Sequence, residues 1–172
     1  DETTEKYPTI KLNHLRTLTD DMGCIQFAKL STPDSTSGYT VDDNSRALIV
    51  STLHDKIYNS ETSKELSKIY LDFLEKVQDK DGKFNDLQCE REDLIPSSED
   101  SIGRTMWALG YLIHNSKNQE FIEKAKKLFD RSYNLIGKIS SPRAKAFSII
   151  GLYYYYKRYP NEEMLSKIKE MV

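Results

Sequence analysis

The stretch Gly38-Tyr39-Thr40-Val41-Asp42-Asp43-Asn44-Ser45-Arg46-Ala47-Leu48 decides the reading of this chain. A turn of small polar residues runs into an acidic helix start and then into an apolar helix. A variant recurs as Ser97-Ser98-Glu99-Asp100-Ser101-Ile102-Gly103-Arg104-Thr105-Met106-Trp107. Both copies set a hydroxyl residue before an Asp and an Arg about one helical turn after it. The two stretches read as the same end of two equivalent helices, and the functional question is what their carboxylates face.

Working outward, the chain reads as three helical hairpins, at 42–78, 99–137 and 142–171. Cap candidates mark the helix starts: Thr40, Ser60, Ser97 or Ser98, Ser116, Ser141 followed by Pro142, and Asn161 after Pro160. Ser116 with Gln119 has the spacing of a capping box. The two helices of each hairpin differ in kind. The second members are amphipathic, with stripes such as Leu66, Ile69, Tyr70, Phe73, Leu74 and Val77, which places them outside. The first members are apolar nearly all round, as in Met106-Trp107-Ala108-Leu109-Gly110-Tyr111-Leu112-Ile113, which places them inside and covered on most sides.

Alternating inner and outer helices with short turns describe an all-α fold, an α/α solenoid or toroid in which each hairpin stacks on the next. In such an array the inner helices run parallel and their N-termini gather on one face. The chain 1–172 is expected to be a single α/α-hairpin domain, with an N-terminal helix and loops over 1–41. Within that segment Ile10, Leu12, Leu15 and Leu18 suit a short helix, Cys24 to Leu30 an extended piece, and Ser31 to Gly38 a loop. A second irregular stretch, Gln78 to Pro96, carries an Asp81-Gly82 turn expected to close a small hairpin.

Composition bounds the function. At 172 residues with 38% hydrophobic content, the chain can bury one core. Its 25 basic and 27 acidic side chains nearly cancel, which argues against nucleic acid as a partner. No apolar run has the length of a membrane span, and Asp1-Glu2-Thr3-Thr4-Glu5-Lys6 is unlike a signal peptide, so the expectation is a soluble, cytoplasmic protein. Cys24 and Cys89 lack metal-type spacing and read as reduced thiols. The histidines form no HExxH-like cluster, and no Gly-rich phosphate loop, Ser/His/Asp arrangement or activated Cys is present, so neither a metal nor another cofactor is expected.

The candidate chemistry sits at the acidic helix starts. Asp42, Asp43, Glu99 and Asp100 are candidates for paired acid/base carboxylates or for acceptors of sugar hydroxyls. Plain capping is the competing account, since Thr40 to Asp43 and Ser97 to Asp100 fit a capping box with Asp in place of Glu. Arg46 and Arg104 are spaced for salt bridges within their own helices. Tyr39 and Trp107 are candidate stacking platforms, Trp107 competing with a core role. Asn44, His14 and Gln26 complete the polar groups expected to bind substrate.

A family resemblance rests on His14-Leu15, Leu18-Thr19-Asp20-Asp21, Gly23, Gln26, Pro33-Asp34, Gly38-Tyr39, Asp42-Asp43-Asn44 and Arg46-Ala47-Leu48. It continues through Asp81-Gly82-Lys83-Phe84, Ser98-Glu99-Asp100-Ser101, Gly103-Arg104, Trp107-Ala108-Leu109-Gly110 and Ser141-Pro142-Arg143-Ala144. Together these residues resemble the α/α-toroid domain found C-terminal to bacterial group 1 glycosyltransferases, related in architecture to six-hairpin glycosidases. The resemblance implies a carbohydrate context, with a glycan bound or processed in the mouth of the toroid. Phe27 departs from it, standing where that family has His after Gln.

Three hairpins make about half of a six-hairpin toroid. An open half is expected to expose apolar hairpin edges and to pair through them as a homodimer or with a missing second half. Three functions are weighed: an enzyme part acting on a glycan, a noncatalytic glycan-binding or scaffold module, and a helical-repeat protein-interaction domain. An inverting hydrolase would need two carboxyl groups about 6.5–9.5 Å apart across one cleft.

Overall fold

The computed structural model describes residues 9–88 and 93–172. Within them the chain is mostly helical, with two short antiparallel hairpins. Three helix pairs dominate: α2 (Val41–Tyr58) with α3 (Glu61–Val77), α4 (Glu99–Asn115) with α5 (Gln119–Ile136), and α6 (Pro142–Arg158) with α7 (Glu162–Met171). They follow a short α1 (Asn13–Thr17). Among the described residues no helix is long and apolar enough to cross a membrane.

Local chemistry explains most of the starts. The Thr40 hydroxyl accepts the Asp43 N–H at 3.1 Å, Ser98 caps α4, Ser141 caps α6 ahead of Pro142, and Asn161 caps α7. Two expected caps are corrected. Ser60 makes no side-chain cap, and α5 is capped by Asn118, whose Oδ1 accepts the Phe121 N–H at 3.2 Å. Ser116 instead ends α4, and its hydroxyl accepts the Asn118 N–H at 3.1 Å, so the Ser116–Gln119 capping box does not form.

The helices lie in two rows. Helix α4 packs between α2 and α6, while α3, α5 and α7 each pack on their own partner. The buried stripes of α3 (Leu66, Tyr70, Phe73, Leu74, Val77) and α5 (Ile122, Ala125, Leu128, Phe129, Ile136) face this inner row. The α4–α6 seam is unusually close. Ideal Cβ atoms on Gly110 and Gly151 would lie 2.2 Å from the backbone oxygens of Gly151 and Met106, so only hydrogen fits at either position. Across the other seam the hydroxyls of Ser45 and Thr105 bond at 2.9 Å.

Coverage of the inner helices differs: α4 has no exposed residue, as expected, but α2 is covered less than expected. On α2, Val50, Leu53 and Ile57 are 44%, 41% and 54% exposed. Their spacing puts them on one stripe with Arg46, on the side away from α3. Helix α2 therefore has two buried sides and one bare face.

The N-terminal segment runs back along the first hairpin. The Ile10 N–H meets the Tyr58 hydroxyl at 3.4 Å, Arg16 pairs with Glu65 at 2.9 Å, Thr19 bonds Tyr70 at 2.8 Å, and the Cys24 N–H donates to Asn44 Oδ1 at 2.8 Å. Beyond it β1 (Phe27–Lys29) pairs with β2 (Thr32–Asp34), and a 3-10 turn follows at Ser35–Ser37. The expected loop over 31–38 thus contains a strand. Its polar composition hid the pairing, which depends on Leu30 entering the left-handed region at φ 58°.

In the second irregular stretch, the Asp79–Gly82 turn closes on a Gln78–Phe84 bridge. Strands β3 (Asn85–Leu87) and β4 (Leu94–Pro96) then pair antiparallel. Leu87 exchanges two backbone bonds of 2.9 Å with Tyr39, tying this stretch to the start of α2. Cys24 is a buried free thiol, pushed up to about 11 by burial and then by the charges of Asp43 and Asp20. The reading of Cys89 lies outside the described residues.

Candidate acidic helix-start site

The starts of α2, α4 and α6 are linked by carboxylates that reach from one helix to the next. Asp42, in the first turn of α2, binds Arg46 on its own helix and takes Arg104 Nε of α4 on its other oxygen at 2.5 Å. Asp100, in the first turn of α4, takes Arg143 Nε of α6 at 2.7 Å and the Ser141 hydroxyl at 3.1 Å. Glu99 accepts the Ser141 N–H at 2.8 Å and the Ser140 N–H at 3.0 Å, so it satisfies backbone donors at the start of α6. Arg143 first, then Ser141, holds the Asp100 carboxyl below its usual range; the Ser141 and Ser140 N–H groups do the same for Glu99.

The arginine assignment is therefore half corrected. Arg46 pairs within its helix as expected, but Arg104 crosses to Asp42 instead of folding back on Asp100. Inter-helix spacing decides this. Asp100 lies opposite Arg143 and Ser141 of α6, which satisfy it. The expected Ser97–Asp100 capping box is likewise replaced by Ser98, whose hydroxyl accepts the Ser101 N–H at 3.2 Å.

Asp43 stays local, accepting the Thr40 hydroxyl at 2.7 Å. Asn44 is fully buried and structural. Its Oδ1 takes the Cys24 N–H, and its Nδ2 donates to Thr40 O at 2.9 Å, so it fastens the N-terminal segment to α2 and is no substrate ligand. Tyr39 is 7% exposed, rests against Phe73 and donates its hydroxyl to Asp20 Oδ2 at 2.6 Å, which removes it as a stacking platform. Asp20 also accepts the Met22 and Gly23 N–H groups, so it builds a turn. His14 is exposed on α1, whose Arg16 is tied to α3. Gln26 is half-buried and donates its backbone N–H to Gly38 O at 3.0 Å.

Trp107 is half-buried and stacks on Phe147 of α6 at 5.7 Å and 25°. The Arg104 guanidinium lies 4.2 Å over the same Phe147 ring. A continuous set, Arg46–Asp42–Arg104–Phe147–Trp107, thus crosses the three inner helices near their starts. Tyr111 and Tyr154, edge to face at 5.0 Å, continue the aromatic run toward the other end.

Sequence reasoning missed Asp86 and Phe147. Asp86 on β3 accepts the Val41 N–H at 2.7 Å, capping α2 from another element. Burial, and then Asp43 and Asp42, push its carboxyl above the usual range. Only the Tyr39–Leu87 pairing brings Asp86 to this place, and no local pattern around Asp86 signals it. Phe147 lay in plain view within an apolar helix, with nothing to mark it as a ring under Arg104. Among the described residues no three His, Cys, Asp or Glu side chains are grouped to hold a metal ion. Comparison with protein-family models and with curated proteins finds no match to this sequence.

Asp42, Asp100 and Glu99 each bond to the next inner helix or its start, while Asp43 bonds only to Thr40 at the start of its own.

Proposed function

We propose that this chain is a noncatalytic glycan-binding module, an arc of an α/α toroid that holds a sugar against the starts of its inner helices. The observation that carries the reading is the joined set of Asp42, Arg46 and Arg104 with the Trp107–Phe147 stack. A pyranose offers C–H faces to aromatic rings and hydroxyls to carboxylates and guanidiniums, and binding sites commonly combine such apolar walls with a few fixed polar groups. Arg46 is the exposed member, with a side chain 57% accessible, and supplies free donors to the ligand. The resemblance to glycosyltransferase-associated domains points the same way.

Glycan-array binding of the purified chain tests this, compared with Trp107→Ala and Arg46→Ala. We expect a glycan retained by the parent and lost by both variants, each keeping the parent's circular dichroism. A parent that retains no glycan, or variants that bind as well as the parent, would refute the reading.

One observation favours a second reading, a protein-interaction face. The exposed Val50, Leu53 and Ile57 stripe is apolar and would suit a second copy or another hairpin. Light scattering decides whether the chain dimerises and whether Leu53→Glu abolishes the dimer.

A further inference from the structure

Two stripes of half-buried side chains meet along the inner row. On α4, Arg104, Trp107 and Tyr111 recur at intervals of three and four residues, so they share one face about one helical turn apart. On α6, Phe147, Ile150 and Tyr154 recur in the same way. The contacts at Gly110 and Gly151 bring the two backbones close enough for the stripes to join. Trp107 stacks on Phe147 at 5.7 Å, and one turn further along α4 Tyr111 meets Tyr154 edge to face at 5.0 Å.

These rings have unspent polar tips. Among the described residues no hydrogen bond engages Trp107 Nε1, Tyr111 Oη or Tyr154 Oη. The buried side-chain atoms left without a partner belong to Thr52, Asp55 and His114, so the three ring tips reach solvent. Trp N–H and Tyr O–H groups that are packed away normally find a protein partner. Here they stand free at the edges of apolar faces. A row of that kind suits a ligand that presents a C–H face and hydroxyls again at each repeat.

We propose that the glycan held by this chain is a linear oligosaccharide of at least three linked rings, laid lengthwise along the α4–α6 seam. The inference rests on the glycan reading above and adds the length and direction of the ligand. One ring lies against Asp42 and Arg104, the next against Trp107 and Phe147, and the third against Tyr111 and Tyr154. From Arg104 to Tyr111 the helix rises about 10 Å, which is two turns and three levels. A pyranose ring is roughly as long as one helical turn, so successive levels match successive rings.

Calorimetric titration of the purified chain tests this, with β-1,4-glucose, α-1,4-glucose, β-1,4-N-acetylglucosamine and α-1,6-mannose oligomers of one to about six rings. In at least one series the affinity should rise about tenfold or more from one ring to three and then level off, as two stacking levels are added. The double variant Tyr111→Phe with Tyr154→Phe keeps both rings and removes only their hydroxyls. It should weaken the trimer about fivefold, since two neutral hydrogen bonds are lost. In amide-resolved NMR the trimer should shift residues 104–111 and 147–154 together.

A single ring that binds as tightly as the trimer overturns the proposal and leaves the glycan reading standing. So does a footprint that misses Tyr111 and Tyr154, or a double variant that binds the trimer like the parent. If no series binds at any length the proposal is overturned, and the glycan array decides the wider reading by itself. A dimer in light scattering that Tyr111→Glu dissolves also overturns it, because a second copy then covers the row.

Discussion

Replacing Gly110 with alanine probes the tightest contact in the fold. An ideal Cβ there would stand 2.2 Å from the Gly151 carbonyl oxygen and 2.8 Å from its carbon, whereas carbon and oxygen in contact normally sit about 3.3–3.6 Å apart. Both obstacles are backbone of a packed helix, so no side chain can swing aside. Helices α4 and α6 must separate by about 1 Å to admit the methyl group. Overpacking of this sort costs about 1–3 kcal/mol, and a backbone clash belongs at the upper end. Alanine returns about 1 kcal/mol through its better helix propensity. The net expectation is a loss of about 2 kcal/mol, or about 4–8 °C in Tm for a chain of this size.

Urea denaturation followed by far-UV circular dichroism measures that loss. Trp107, the only tryptophan, stacks on Phe147 across the same seam, so its fluorescence should change in the folded state as well. Gly137→Ala is the control. The Cβ there meets only the flexible end of Lys167, at 3.0 Å, and the backbone is helical at φ −66°, so the change should be neutral or stabilising by up to about 1 kcal/mol. A Gly110→Ala variant as stable as the parent, with unchanged tryptophan emission, would refute the backbone contact between α4 and α6.

Three further outcomes follow from the acidic helix starts. Arg104→Ala should destabilise by about 1.5–3 kcal/mol in chemical denaturation, because it strips a charged hydrogen bond from a carboxylate only 22% exposed. Arg46→Ala should cost less than about 1 kcal/mol, its own side chain being 57% exposed, and equal losses would count against the geometry. The Asp86 carboxyl is raised by burial and by Asp43 and Asp42, so the folded state holds its proton more tightly than the unfolded chain. Its contribution is fully present below the unfolded value and is lost as pH rises through the folded one. Asp86→Asn keeps an acceptor for Val41 N–H, so it should lift stability at neutral pH and flatten that part of the pH profile; a variant less stable at neutral pH would overturn this. Finally, Arg143 is the main cause of the low Asp100 carboxyl, so Arg143→Ala should raise the Asp100 midpoint in NMR titration of side-chain carboxyls, and an unmoved midpoint would deny the bridge.

The helices were the legible part. The alternation of apolar and amphipathic segments, the hydroxyl and Asn caps, and Pro142 at a first helical position are local signals. They act over one or two turns, and the sequence states them outright. The β1–β2 hairpin was less legible, because a strand of Thr32, Pro33 and Asp34 has no periodicity of its own and exists only beside Phe27–Lys29. Of the candidate site, the four acids and two arginines were correctly placed at helix starts. Their partners were not legible, since Asp42 meets Arg104 across 62 positions and Asp100 meets Arg143 across 43.

By itself, then, the sequence determined which segments become helices, where they start, and that acids crowd those starts. Propensity, capping and side-chain periodicity need no distant partner. Only the tertiary structure decided what the acids do. Packing α4 between α2 and α6 turns apparent caps into bridges from helix to helix, buries Tyr39 and Asn44, and brings Asp86 in from a distant strand. It also leaves one face of α2 bare, along Val50, Leu53 and Ile57. Those outcomes depend on distances between elements, which glycine contacts such as Gly110 against Gly151 set and no local pattern records.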